Sequence, residues 1–454
     1  MSIPQQGGGP IESRDQLAGY LEAGCKPRDR WRIGTEHEKF GYRQDDLRPL
    51  PYDGDCSIRA MLEGLRDEFG WREVREGEHL IGLTKGRANV SLEPGGQLEL
   101  SGAPLETIHE TCEEVNQHLA EVRDIAERIG AGFIGIGALP KWEREDIHVM
   151  PKGRYGIMRR YMPQVGSRGL DMMFRTTTIQ VNLDFASEAD MAQKLRVGLA
   201  LQPVATALFA NSPFMGGGPT GNLSERAAIW RDVDNRRAGI PGFVFEEGFG
   251  FEAWVDYALD VPMYFVYRDG TYVDAAGQSF RDFMEGRLPA LPGETPTLSD
   301  WADHLTTIFP DARIKQYMEM RGADGGPWRR ICALPAFWVG LTYDQGALDA
   351  AWDVAKGWTQ EDRVALREAV PTEGLKATVA GRPLLDVARE LVWIAHEGLV
   401  ARAREGTVDR NEAHFLNALH DVIARAETPA DELLRLYRER WDGDLDRLYR
   451  ERSY

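Results

Sequence analysis

The chain has 454 residues, 43% of them hydrophobic and 28% charged, with a formal net charge of −18. That composition suits a globular protein with a large core, and the acidic balance argues against nucleic acid or an anionic membrane as partner. Its four cysteines, Cys25, Cys56, Cys112 and Cys332, form neither a C-x-x-C nor a disulfide framework, so unpaired thiols in a reducing compartment are expected.

Residues 1–12 read as a flexible lead-in, with no basic-then-apolar signal segment. "SRDQ" (13–16) is a capping-box pattern ahead of a short helix. "RIGTEHEKFGY" (32–42) then reads as a strand. Residues i and i+2 share a face of a strand, so Glu36 and Glu38 point together while His37 and Lys39 point the other way. Alone, this pair reads better as a solvated strand face.

In "NVSLEPGGQLELSG" (89–102), pairing Glu93 with Gln97 around Pro94-Gly95-Gly96 puts Val90, Leu92, Leu98 and Leu100 on one face. Ser91, Glu93, Gln97 and Glu99 fall on the other, whereas a two-residue Gly-Gly loop would mix the faces. Like charges across a strand pair are unfavourable unless a cation sits among them.

Leu105, Ile108, Cys112, Val115, Leu119, Val122, Ala126 and Ile129 repeat at helical spacing over 105–129, with Cys112 as plain core. "GAGFIG" (130–135) fits G-x-G-x-x-G but follows a helix and precedes a strand, the reverse of the dinucleotide order. "TTTIQVNLDF" (176–185) alternates strictly, with Thr178, Gln180 and Asn182 on its polar face. The apolar run 197–210 is too short to span a bilayer and reads as a buried helix. "DVPMYFVYR" (260–268) is another strand candidate. In "EMRGADGGPWRR" (319–330), Glu319 and Arg321 share a face if extended, with Arg329 and Arg330 close behind. Such a mixture of acid and guanidinium suits magnesium plus phosphate. From about 345 to the end the pattern is helical. The histidines show no zinc spacing, and P-loop and G-x-S-x-G motifs are absent.

The phrases "GTEHEKFGY", "VSLEPGGQLELSGAP", "TTTIQVNLDF", "ALFANSPF", "LDVPMYFVYR" and "EMRGADGGPWRRICALPAFWVGL", in this order, resemble glutamate–cysteine ligase of the type shared by plants and many proteobacteria. The likeness runs from about residue 13 to the end. It implies an α+β fold related to glutamine synthetase: a curved antiparallel sheet with surrounding helices and a helical C-terminal region (345–454), in one catalytic domain spanning 1–454. It implies that ATP phosphorylates the L-glutamate side chain and that the L-cysteine amine displaces phosphate, the first step of glutathione synthesis.

Carried over residue by residue, Glu36, Glu38, Glu93, Glu99 and Glu319, with Gln97 as a sixth, would hold magnesium. Glu38, Glu93 and Arg321 would carry catalysis, Arg321 at the transferring phosphoryl group. Arg154 and Arg226 would hold substrate carboxylates with Tyr264 lining the pocket, and Arg329 and Arg330 would join Arg321 on ATP. Partners would be L-glutamate, L-cysteine and ATP, with feedback by glutathione, in a monomer or homodimer. A cytoplasmic location is expected, since no transit peptide precedes the first helix. Ala275 and Ala290 stand where plant members carry a redox cysteine pair, so that bridge cannot form. Two alternatives stay open: a sister ligase joining glutamate to a different amine, and a non-catalytic binding protein that keeps the fold. The intact acidic set disfavours the second.

Overall fold

The computed structural model describes residues 7–404, 406 and 408–454. The first residues lie outside it, but the rest of the expected lead-in is tied down, which corrects that reading. Ile11 is buried and its amide donates to Pro296, and Pro10 bridges Thr297. Helix α1 (Asp15–Glu22) follows. Its expected capping box is only half formed: Gln16 Oε1 accepts the amides of Glu12 and Ser13, but no side chain caps the first turn.

The centre of the molecule is one antiparallel sheet. Its strands are β1 (Ile33–Arg43), β2 (Arg72–Glu76), β3 (His79–Lys85), β4 (Ala88–Leu92), β5 (Leu98–Ser101), β6 (Ala131–Ile134), β7 (Thr178–Leu183), β8 (Ala312–Ile314) and β9 (Met318–Asp324). The order is β8-β9-β7-β1-β5-β4-β3-β2, with β6 also paired to β1. Strand β1 is therefore the keel, flanked by β5 on one side and β7 on the other. The β4–β5 hairpin has the expected register: Glu93 and Gln97 pair across the turn, and Leu92 faces Leu98. Gly96 closes that turn at φ 83°, a left-handed conformation in which a side chain would be strained.

Period-two alternation explains the two faces. Ile33, Ile179, Val181 and Leu183 point into the larger core beneath the sheet. There they meet helices Ile108–Ile129, Glu188–Leu208 and Trp328–Thr342 and the helices of the C-terminal region, including Leu384–Arg404. The helix over 105–129 begins only at Ile108, because Thr107 and Glu110 form a capping box and Leu105 still pairs with Ile33. It ends at left-handed Gly130, so the G-x-G-x-x-G match is a helix stop entering β6. "DVPMYFVYR" yields only the strand Phe265–Arg268, in a hairpin with Thr271–Asp274 off the main sheet; its first residue closes the helix Phe251–Asp260. The chain end returns to the sheet, where the Tyr454 amide donates to Phe133.

The cysteine expectation is corrected. Cys112 and Cys332 form a disulfide between the helices Ile108–Ile129 and Trp328–Thr342, 220 residues apart in sequence, while Cys25 and Cys56 are free. Helix packing beneath the sheet joins them, which sequence spacing could not show. No helix among the described residues is long and apolar enough to cross a membrane.

Candidate active site

The polar face of the sheet carries two adjoining cavities that share Glu36. The first, about 130 Å³, is lined by the acidic or amide residues Glu36, Glu38, Glu93, Gln97, Glu99 and Gln180 and by Arg154, Arg226, Arg313 and Arg321. Register explains the acidic wall. Glu38 lies directly opposite Glu99 across β1 and β5, Glu99 faces Ser91 on β4, and the turn after β4 delivers Glu93. On the other flank of β1, Glu36 lies opposite Gln180 of β7.

The acids accept neutral donors. The Asn182 amide donates to Glu36 at 2.9 Å, the Thr178 backbone amide to Glu38 at 3.1 Å, and Ser91 Oγ to Glu99 at 2.9 Å. Among the described residues no cation stands within ion-pair distance of Glu36, Glu38 or Glu99. Burial, then the Glu93 and Glu99 carboxylates, push Glu38 well above the ordinary range, with Arg226 opposing. Burial, then Glu93, also raises Glu99. Yet no three such groups among the described residues already converge to hold a metal ion.

The opposite side is a cationic ridge. Arg313 lies across from Glu319 in the β8–β9 pairing, and the Glu319 carboxylate ion-pairs with Arg313, Lys315 and, at 3.2 Å, Arg321. Burial raises the pKa of Glu319, but these three cations together hold it well below the ordinary value. Arg321 also donates to Gln180 at 2.7 Å, and burial lowers its pKa to about 10.

Arg154 and Arg226 are both buried against the cavity; the first lies over the Phe265 ring, and the second donates to the Arg321 carbonyl at 2.8 Å.

Some expected site residues stand elsewhere. Gln97 lines the cavity, but its amide is engaged by backbone: Oε1 accepts from Gly95, and Nε2 donates to Met173 and Thr176. It holds the hairpin turn against that segment. Glu319 lies in the ridge, outside the acidic wall. Tyr264 is fully buried behind the lining, with its ring under Arg237 at 3.9 Å and its hydroxyl at Met162. After Asp324 the chain turns at Gly325–Pro327 into Trp328–Thr342 beneath the sheet, carrying Arg329 and Arg330 away from both cavities. Arg329 is exposed, and Arg330 donates to the Ala418 carbonyl.

Residues that sequence reasoning missed are Arg313 and Lys315. Their i, i+2 spacing in "ARIK" was the available signal, but the partner strand was unknown.

The second cavity, about 360 Å³, continues along the same face. It is lined by Lys26, Arg32, Arg87, Asn89, Asn182 and Tyr317 among others, with Glu36 at the boundary.

An antiparallel sheet carrying an acidic wall and an arginine ridge around one cavity is the arrangement expected of a carboxylate–amine ligase. Residues 32–451 match the family model described as Glutamate-cysteine ligase family 2, and the chain belongs to that family. The chloroplastic glutamate–cysteine ligase of Solanum lycopersicum is 57% identical over 442 residues, covering 97% of this chain and 83% of that protein. Ligase B of Oryza sativa subsp. japonica is 56% identical over 445 residues, covering 98% and 88%. The crystal structure of glutamate–cysteine ligase from Francisella tularensis in complex with AMP superposes with a TM-score of 0.55 at 13% identity, over 93% of this chain and 89% of that one, a likeness of fold alone. The cytoplasmic expectation is overturned: relatives at this similarity are named chloroplastic. Where this sequence begins is no guide to its compartment.

Proposed function

We propose that the protein joins the γ-carboxylate of L-glutamate to the amine of L-cysteine at the expense of ATP, the first step of glutathione synthesis. The observation that carries this reading is the opposition of buried acids and buried guanidiniums across one small cavity. A glutamate carboxylate oxygen attacks the γ-phosphorus of ATP and ADP leaves; the cysteine nitrogen then attacks the acyl carbon, loses a proton and expels phosphate. Both steps gather negative charge, and Arg321 and Arg313 are positioned to balance it.

Glu36, Glu38, Glu93 and Glu99 would hold magnesium, since the donor set is all oxygen and the crowding that raises Glu38 and Glu99 favours a cation. When bound, the metal neutralises the transferring phosphoryl group. Glu319 instead anchors the ridge by fixing Arg313, Lys315 and Arg321.

Arg154 and Arg226 serve the amino-acid carboxylates in the first cavity. ATP then enters through the second, whose Lys26, Arg32 and Arg87 suit its phosphates and whose boundary with the first is Glu36. This replaces Arg329 and Arg330 as nucleotide contacts. The return of Tyr454 to Phe133 favours treating the chain as one catalytic domain. A monomer or homodimer, with feedback by glutathione, is compatible with this reading.

The test is ADP release with magnesium, ATP and L-glutamate, adding cysteine, 2-aminobutyrate, ammonia, glycine or a polyamine in turn, with the product weighed by mass spectrometry. Turnover highest with cysteine and lower with 2-aminobutyrate supports the reading. Preference for another amine overturns it.

A further inference from the structure

We propose that Asp324 is a positioning residue that aims Arg226 at the substrate carboxylate while leaving that guanidinium without a direct acidic partner. This rests on the ligase reading and names a group that the reading leaves without a role. Asp324 ends β9 and is 1% exposed. Its Oδ2 accepts the Asn211 amide at 2.7 Å and Ser212 Oγ at 2.6 Å, and its Oδ1 accepts Ser224 Oγ at 2.8 Å. Every one of those donors belongs to the segment that delivers Arg226. Ser224 caps the short helix Glu225–Ile229 by accepting the Ala227 amide at 3.1 Å. Ser212 Oγ accepts the amide of Arg226 itself at 3.2 Å, and the Ser212 and Ser224 backbones bridge in parallel.

One carboxylate therefore fixes both hydroxyl protons, which directs both oxygens toward the helix amides. A neutral donor set of this kind also occupies the carboxylate. Among the described residues Arg226 has no carboxylate within ion-pair distance, although it is buried and burial lowers its pKa. Asp324 is the largest influence holding Arg226 charged, followed by Glu38 and Asp311. It thus balances the buried charge from a distance and leaves a ligand the guanidinium hydrogens that the Arg321 carbonyl does not take. The backbone accommodates this: Gly137 packs so closely on the Asp324 carboxyl carbon that any side chain there would displace it.

Two variants separate charge from scaffold. Asp324→Asn keeps the shape and removes the counter-charge, while the double variant Ser212→Ala with Ser224→Ala removes the hydroxyl ties and keeps the charge. For the folded proteins one measures KM for glutamate, cysteine and ATP, kcat, and L-glutamate binding by calorimetry. Expected in both variants is a rise of about tenfold or more in KM for one amino-acid substrate, with KM for ATP within about twofold and kcat within about threefold. Unchanged amino-acid KM values in both overturn the proposal, as does uniform loss of all parameters, which would mark a merely structural role. If Asp324→Asn does not fold, the double serine variant decides alone. Wild-type protein that turns over no amine removes the ligase reading instead, and L-glutamate affinity then carries the comparison between wild type and variants.

Discussion

Glu38 and Glu319 are the same residue type, both on strands of one sheet, the first partly and the second fully buried, yet their surroundings drive them in opposite directions. Glu38 stands among other acids and is pushed well above the ordinary pKa range. Glu319 stands among Arg313, Lys315 and Arg321 and is held well below it. The difference teaches that a buried carboxylate is defined by its neighbours. Among the described residues no cation ion-pairs with Glu36, Glu38 or Glu99, whereas Glu319 in the ridge is paired three times over.

The contrast can be broken by removing each charge in turn. Glu38→Gln should lower turnover by about a thousandfold. It should leave the thermal midpoint unchanged or raised, because it relieves crowding; ADP release and calorimetry check both halves. Glu319→Gln should act on stability first. Leaving three buried cations without their acid should cost about 3–5 kcal/mol, read from urea unfolding. If Glu38→Gln proves the more destabilising of the two, the comparison fails.

A smaller effect sharpens the same physics away from the site. Burial lowers the pKa of His304 from 6.5 to about 4, opposed by its bond to the Ala258 carbonyl. His37 and His118 are likewise held well below 6.5 by burial. His304 is depressed in the folded state, so its contribution is complete above pH 6.5 and is lost as pH falls toward about 4. For His304 that loss is about 3 kcal/mol, and His304→Gln should flatten the pH dependence of unfolding in this window. The smallest effect is expected for Arg329→Ala: an exposed side chain beyond both cavities should leave kcat and KM for ATP within about twofold. A large rise in KM for ATP would return Arg329 to the nucleotide.

Much of the wall was legible in the sequence because strand periodicity places it. Glu36 and Glu38 share a face by spacing alone, and the Glu93–Gln97 pairing followed from keeping Val90, Leu92, Leu98 and Leu100 together. Of the ridge only the shared face of Glu319 and Arg321 was legible. Glu319 meets Arg313 and Lys315 only through the β8–β9 register, and nothing local to "EMRGADGG" announces it. Arg329 and Arg330 misled for a related reason: three residues of turn reverse the face of the sheet on which the chain travels. Tyr264 and the Cys112–Cys332 bridge depend on packing between distant elements, which periodicity does not encode.

The most direct test of the account is manganese binding, followed by electron paramagnetic resonance, to the wild type, Glu38→Gln and folded Glu319→Gln without nucleotide. The account predicts that Glu38→Gln weakens binding by about tenfold or more while Glu319→Gln stays within about threefold of wild type. Loss of binding in Glu319→Gln with retention in Glu38→Gln would contradict it, placing the cation at the ridge and not at the wall.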